Sequence, residues 1–198
     1  MPEQDAPRII LEHVASPAQQ RLWFVEQMSP GVPVHNICVE LDFASDLDPQ
    51  VLAVALGDVV DRHESLRTVF RAERGELRQV VMSRLAAMPV RVRDVRSADP
   101  AEAEAAWQAL RREASRAPFD VEAGPLLALV LVRSADSHYR LVVVVHHMIA
   151  DGLSFEIFLR DLLTAYRART AGAAPKFEPL PVQYADFTDW QRQRLSTA

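Results

Sequence analysis

Apolar residues along the chain recur in two periods, and the periods alternate. After Ser16-Pro17-Ala18-Gln19, a capping box with proline at the first helical position, Leu22, Trp23, Val25 and Met28 form a stripe that predicts a helix over 16–28. From 35 to 43 the period drops to two (Ile37, Val39, Leu41, Phe43), which predicts a half-buried strand. Asp48-Pro49 starts a second helix whose pairs Val51/Leu52, Ala55/Leu56 and Val59/Val60 run to about Glu64. The stretches 66–72 and 77–82 flank Glu-Arg-Gly-Glu and predict a hairpin, and a short strand is expected near 90–92.

Asp99-Pro100 caps a third helix to about Ala117, whose alternating Glu, Ala and Arg suggest a solvated face. Two strongly apolar stretches, 126–133 and 139–145, follow on either side of a polar turn, and their unbroken runs suggest strands covered on both faces. Leu153, Ile157, Phe158, Leu162 and Tyr166 outline a fourth helix; 171–181 is a Gly/Pro loop, and 184–195 is helical in pattern. The expected fold class is α/β: a two-layer sandwich with one mixed β-sheet and helices packed on it.

Composition narrows the functional classes. The chain of 198 residues is 49% hydrophobic and 25% charged, enough for one or two globular units with a real core. A net charge of -5 leaves no basic face for phosphates, so nucleic acid is not an expected partner. A lone cysteine, Cys38, excludes an internal disulfide and fits a reducing compartment. The first residues, Met-Pro-Glu-Gln-Asp, carry no signal pattern, and no apolar run is long enough for a membrane span. The expectation is a soluble cytoplasmic protein with no membrane partner.

The chemistry concentrates in His146-His147-Met-Ile-Ala-Asp151-Gly152, directly after Leu141–Val145. Four fixed positions of this kind should coincide by chance on the order of once in a few thousand chains of this length. A histidine at a rigid strand end can serve as a general base near neutral pH. If both histidines continue the strand they point to opposite faces, one into a cleft and one against the sheet. Asp151 reads either as the acid of a dyad or as a structural anion; a buried carboxylate needs a partner, and Arg62 and Arg67 are available. Gly152 is expected to open the fourth helix, whose amides favour negative charge.

Other residues carry less. Ser154 lies in Gly-Leu-Ser-Phe rather than a Gly-x-Ser-x-Gly elbow. His13, His35, His63 and His138 lack metal-ligand spacing, and no glycine-rich phosphate loop is present. Cys38, between Ile37 and Val39, reads as a packing residue.

Four blocks in order resemble the core motifs of condensation domains of non-ribosomal peptide synthetases. They are Ser16-Pro-Ala-Gln-Gln-Arg-Leu-Trp-Phe24, Arg62-His-Glu-Ser-Leu-Arg-Thr-Val-Phe70, His146-His-Met-Ile-Ala-Asp-Gly-Leu-Ser154 and Tyr184-Ala-Asp-Phe-Thr-Asp-Trp-Gln191. The third block is shared with chloramphenicol acetyltransferase, other acyltransferases and epimerization domains; all four together are more specific. The resemblance implies a chloramphenicol-acetyltransferase-like fold of two lobes in a V, with residues 1–198 as the N-terminal lobe and the C-terminal lobe absent. It implies peptide-bond formation between thioesters carried on the phosphopantetheine of donor and acceptor carrier proteins, with an adenylation domain adjacent and no intrinsic cofactor or metal. On the matching positions His147 is the expected active-site residue, His146 its structural neighbour, Asp151 and Arg62 a structural salt bridge, Arg67 a supporting residue, and Gly152 the source of a backbone amide near the reacting centre. The isolated lobe is expected to be inactive. The alternatives are a non-catalytic half-domain that docks carrier proteins, or another acyltransferase or epimerization domain that carries the same histidine motif.

Overall fold

The computed structural model describes residues 7–85 and 90–196; the first five residues, read above for a signal pattern, lie outside them. The first four long helices start where local chemistry provides a cap. Helix α1 (Pro17–Met28) begins at Ser16, whose hydroxyl accepts the Gln19 amide while the Gln19 side chain returns to the Ser16 amide. Helices α2 (Pro49–Arg62) and α3 (Pro100–Arg116) start after Asp48 and Asp99, each accepting first-turn amides, each followed by proline at the first position. A 3-10 turn over Glu64–Arg67 leads into a hairpin of β3 (Thr68–Glu73) and β4 (Glu76–Met82). Glu73 pairs with Glu76, so the loop is Arg74-Gly75 alone, both at positive φ, as the tight twist-matched hairpin turn requires.

The strands fall into two sheets, not the single mixed sheet expected. β1 (Ile9–Val14), which the hydrophobic pattern did not reveal, pairs antiparallel with β4, giving the order β1-β4-β3. The second sheet has the order β2-β7-β6-β5, from β2 (Asn36–Phe43), β7 (His138–His146), β6 (Leu127–Ala135) and β5 (Val90–Asp94), with β5 parallel to β6 and the rest antiparallel.

β7 is the spine. Leu141 to Val145 are buried without a gap, and alternate residues enter different clusters. Leu141, Val143 and Val145 join the main core with Leu56, Val59, Phe158 and Leu162, which come from α2 and from α4 (Gly152–Thr170). Val142 and Val144 join a smaller core with Val130, Val132 and Trp107 of α3. Trp107 is therefore the anchor of a helix that is otherwise largely solvated, as its charge pattern suggested. Each such side chain contributes about 1.5–3 kcal/mol on burial. A strand held on both faces leaves its end no freedom, and that end is His146. The remaining helix, α5 (Tyr184–Ser196), lies over β1. None of the described helices is long and apolar enough to cross a membrane.

Candidate active site

At the end of β7 the chain makes a turn held by several backbone hydrogen bonds. The His146 amide donates to the Leu126 carbonyl (2.9 Å), the His147 amide to the His35 carbonyl (2.9 Å), and the Ile149 amide to the His146 carbonyl (3.0 Å). Gln19 of α1 donates its side-chain amide to the Met148 carbonyl (3.2 Å). The capping glutamine of α1 thus also fastens the turn that carries the motif.

The two histidines separate as the alternation predicts. His146 is 2% exposed and His147 is exposed. The His147 Nδ1 lies 2.9 Å from the Ala150 carbonyl oxygen. A carbonyl can only accept, so Nδ1 carries a proton, and in the neutral imidazole Nε2 is then the nitrogen with the lone pair, the form a general base needs. His146 takes the opposite tautomer. The Met148 amide donates to its Nδ1 (3.2 Å), so Nε2 bears the hydrogen and donates to Glu26 (2.9 Å). Burial pushes the His146 imidazole below its usual value despite the opposing pull of Glu26, so it stays neutral.

Glu26 and His35 are site residues that the sequence reading missed. Glu26 Oε1 receives His146 Nε2 and, at 2.8 Å, His35 Nδ1. Burial works against its charge, but the two imidazole hydrogen bonds outweigh it and hold the carboxyl below the ordinary range. The available signal was a carboxylate near the end of α1, set between Val25 and Met28 of the apolar stripe. The trio offers three ligand-type atoms within 4.8 Å of one another, an arrangement that could hold a metal ion. The donor set argues otherwise. A metal on His146 Nε2 would move the ring proton to Nδ1, where it would face the Met148 amide hydrogen.

Asp151 and the arginines require a correction. Asp151 is the N-cap of α4: its carboxylate accepts the Ser154 amide (2.9 Å) and hydroxyl (2.7 Å), and the Asp151 amide donates to Ser154 Oγ (3.1 Å). These Ser154 bonds, ahead of a small opposing effect of burial, hold the carboxyl below its ordinary value. No salt bridge joins Asp151 to Arg62. Arg62 instead donates through Nε to Asp161 (2.9 Å) and through Nη1 to the Glu178 carbonyl (2.6 Å). Asp161, 4% exposed, also receives His63 (2.8 Å) and Arg160 (3.0 Å). It lies ten residues, about 15 Å, along α4 from Asp151, at the level where the end of α2 arrives. Arg67 is buried and donates to the Met82 carbonyl, tying the 3-10 turn to β4; it does not reach Asp151 either.

Gly152 opens α4 as expected. Its φ is ordinary and a Cβ there would meet nothing within 4 Å, so the fold of this chain does not itself require glycine. Cys38 is a packing residue whose thiol burial pushes up, consistent with an inert role.

Two hollows of about 330 Å³ adjoin the motif. One is lined by Gln19, Arg21, Leu22, His147, Asp151 and Tyr184 among others. The other is mostly apolar, with Leu66, Phe155, Phe158, Val182 and Phe187, and shares Ile149, Ala150, Ser154 and Tyr184 with the first. The hollow that holds the His147 imidazole, with Arg21 and Asp151 in its lining, therefore opens beside a more apolar one.

The sequence matches the family model described as Condensation domain over residues 11–198. It is 40% identical over 178 residues to a phosphinothricin tripeptide synthetase of Streptomyces viridochromogenes, and 45% identical over 179 residues to an isonitrile lipopeptide synthase of Mycobacterium tuberculosis. Each alignment takes in 90% of this chain but only 16% and 7% of those longer proteins. Among solved structures, the starter condensation domain of rhizomide synthetase superposes with a TM-score of 0.83 at 26% identity, covering 94% of this chain and 44% of that one. The X-domain from teicoplanin biosynthesis superposes equally well (TM-score 0.83, 28% identity), covering 98% of this chain and 41% of the other.

Proposed function

This chain belongs to the condensation-domain family, and from that premise we propose that it is the N-terminal lobe of a non-ribosomal peptide synthetase condensation domain whose His147 acts on the acceptor amine. The observation that carries this reading is the hydrogen bond from His147 Nδ1 to the Ala150 carbonyl, which leaves Nε2 as a base on an exposed surface.

In this reading an aminoacyl group and an acyl or peptidyl group arrive as thioesters on the phosphopantetheine arms of acceptor and donor carrier proteins. The acceptor nitrogen attacks the donor thioester carbonyl; a C–N bond forms, the C–S bond breaks, and the donor arm leaves as a thiol. His147 Nε2 takes or holds the proton that the amine sheds, and that proton ends on the leaving sulfur. Charge developing on the attacked oxygen is favoured by the first amides of α4, of which Gly152 offers one. Asp151 and Ser154 satisfy each other and so fix the start of that helix. Gly152, for which the chain itself has no steric need, keeps the approach to His147 open for the substrate arm. The apolar hollow suits the side chain or acyl tail of a bound substrate. The chain needs no cofactor of its own for these steps; the thioester supplies the activation. Donor and acceptor carrier proteins, a C-terminal lobe and an adenylation domain are its partners, in the cytoplasm.

The test is to load both carrier proteins and follow the dipeptidyl thioester by mass spectrometry with the parent synthetase and its His147→Ala variant. Loss of a positioned general base costs about 10²–10⁴ in rate. Undiminished product from folded His147→Ala protein would leave the lobe as a carrier-protein docking module.

A further inference from the structure

One carboxylate stands behind both ends of the peptide unit that carries His147. Glu26 Oε1 accepts from His146 Nε2 at 2.9 Å and from His35 Nδ1 at 2.8 Å. His146 precedes His147 in the chain, and the His35 carbonyl accepts the His147 amide at 2.9 Å. The Glu26, His35 and His146 side chains are 12, 14 and 3% exposed, so water does little to replace any of these bonds. The rings of His35 and His146 also meet edge to face at 5.8 Å, and Phe119 closes the other side of His146 at 6.3 Å. The cluster is packed as well as bonded.

We propose that Glu26 is a positioning residue for His147: by clamping His146 and His35 together it fixes the turn in which His147 meets the Ala150 carbonyl and so presents Nε2 as the base. This rests on the catalytic reading of His147 but is read out separately from it. The clamp acts through the backbone. If His146 and His35 drift apart, the His147 amide loses its fixed acceptor, the turn to Ala150 opens, and the imidazole is free to place its proton on either nitrogen. The same three side chains could be taken for a metal site, but the Met148 amide pointing at His146 Nδ1 selects the hydrogen-bonded form.

The experiment uses the full chain and four proteins: wild type, Glu26→Gln, Glu26→Ala, and Asp58→Ala. The last breaks a bidentate pair with Arg169 (2.7 and 2.5 Å) between α2 and α4 and serves as a destabilised control outside the cluster. Long-range 1H–15N spectra report the tautomer of each histidine. Wild type and Asp58→Ala should show His147 with its proton on Nδ1. Glu26→Ala should show a mixture, with Glu26→Gln between them because its amide oxygen still accepts. In the parent synthetase, kcat of Glu26→Ala should fall about tenfold or more with KM within about twofold, since small displacements of a reacting group are costly. A Glu26→Ala protein that keeps the wild-type His147 tautomer, or loses no more kcat than Asp58→Ala, overturns the proposal. If Glu26→Ala does not fold, Glu26→Gln decides by the same spectra. Co2+ binding with visible d–d bands that vanish in Glu26→Gln would also overturn it, by making the trio a metal site. If His147→Ala proves active the catalytic reading fails, while the tautomer spectra still decide the role of Glu26.

Discussion

The two sides of the turn after β7 differ in almost every physical respect. On one side His146, Glu26 and His35 form a closed cluster in which each ring nitrogen facing Glu26 is bonded and the rings are packed. On the other, His147, Asp151 and Gly152 are exposed, and the side chains of His147 and Asp151 bond to the nearby residues Ala150 and Ser154. Adjacent histidines thus sit in opposite settings: the buried one is neutral and bonded into the fold, and the open one donates through Nδ1 to a carbonyl. On the proposed reading, rigidity is concentrated behind the reactive group rather than around it.

The largest expected effect lies on the buried side of α4. Asp161→Ala leaves Arg62 and His63 facing an uncompensated void and should cost about 3–5 kcal/mol in chemical denaturation. Asp151→Ala should cost only about 0.5–2 kcal/mol, the loss of an N-cap. Equal losses would mean that Asp151 has a buried partner after all.

Acidification sharpens the same contrast. The folded-state pKa of His146 is lowered by burial, so its contribution is present above the ordinary imidazole value and is lost as pH falls below about 6.5. Glu26 and Asp161 also have lowered values, so their contributions are present above the ordinary carboxylate range and are lost at still lower pH, as pH falls through their folded values. The melting temperature should therefore decline from pH 7.5 to 5.5, and His146→Asn should flatten that decline. An unchanged slope in His146→Asn removes His146 as its source.

Gly152→Ala should have the smallest effect on stability, within about 1 kcal/mol, the scale of helix propensity. It should still slow dipeptide formation if a substrate arm passes there. Normal turnover would show that the space beside Gly152 is not used.

The helices and the division between the histidines were legible in the sequence because their causes are local. Ser16, Asp48 and Asp99 cap within three residues, and the run Leu141–Val145 sets the alternation that separates His146 from His147. What was not legible depends on distant pairings. β1 escaped notice because Ile9, Ile10 and Leu11 are 44, 51 and 39% exposed and show no alternation; its partner Val81 is seventy positions from Leu11. The choice of Asp161 over Asp151 for Arg62 depends on where the end of α2 meets α4, which no window of sequence contains. Asp161 did leave a trace, an acidic residue inside the apolar stripe of Phe158, Leu162 and Ala165. Glu26 and His35 became site residues only because α1 and the start of β2 converge on His146.

The central claim is that stability resides on the closed side of the turn and chemistry on the open side. The most direct test is the melting temperature of His146→Ala and His147→Ala measured side by side on this chain. Removing buried, hydrogen-bonded His146 should cost about 2–3 kcal/mol, a fall of several degrees at the roughly 2–4 °C per kcal/mol expected for a chain of this size. His147→Ala should melt within about 1–2 °C of wild type, as surface substitutions do. A His147→Ala protein that melts as low as His146→Ala would contradict the claim, because His147 would then be part of the scaffold it is proposed to stand on.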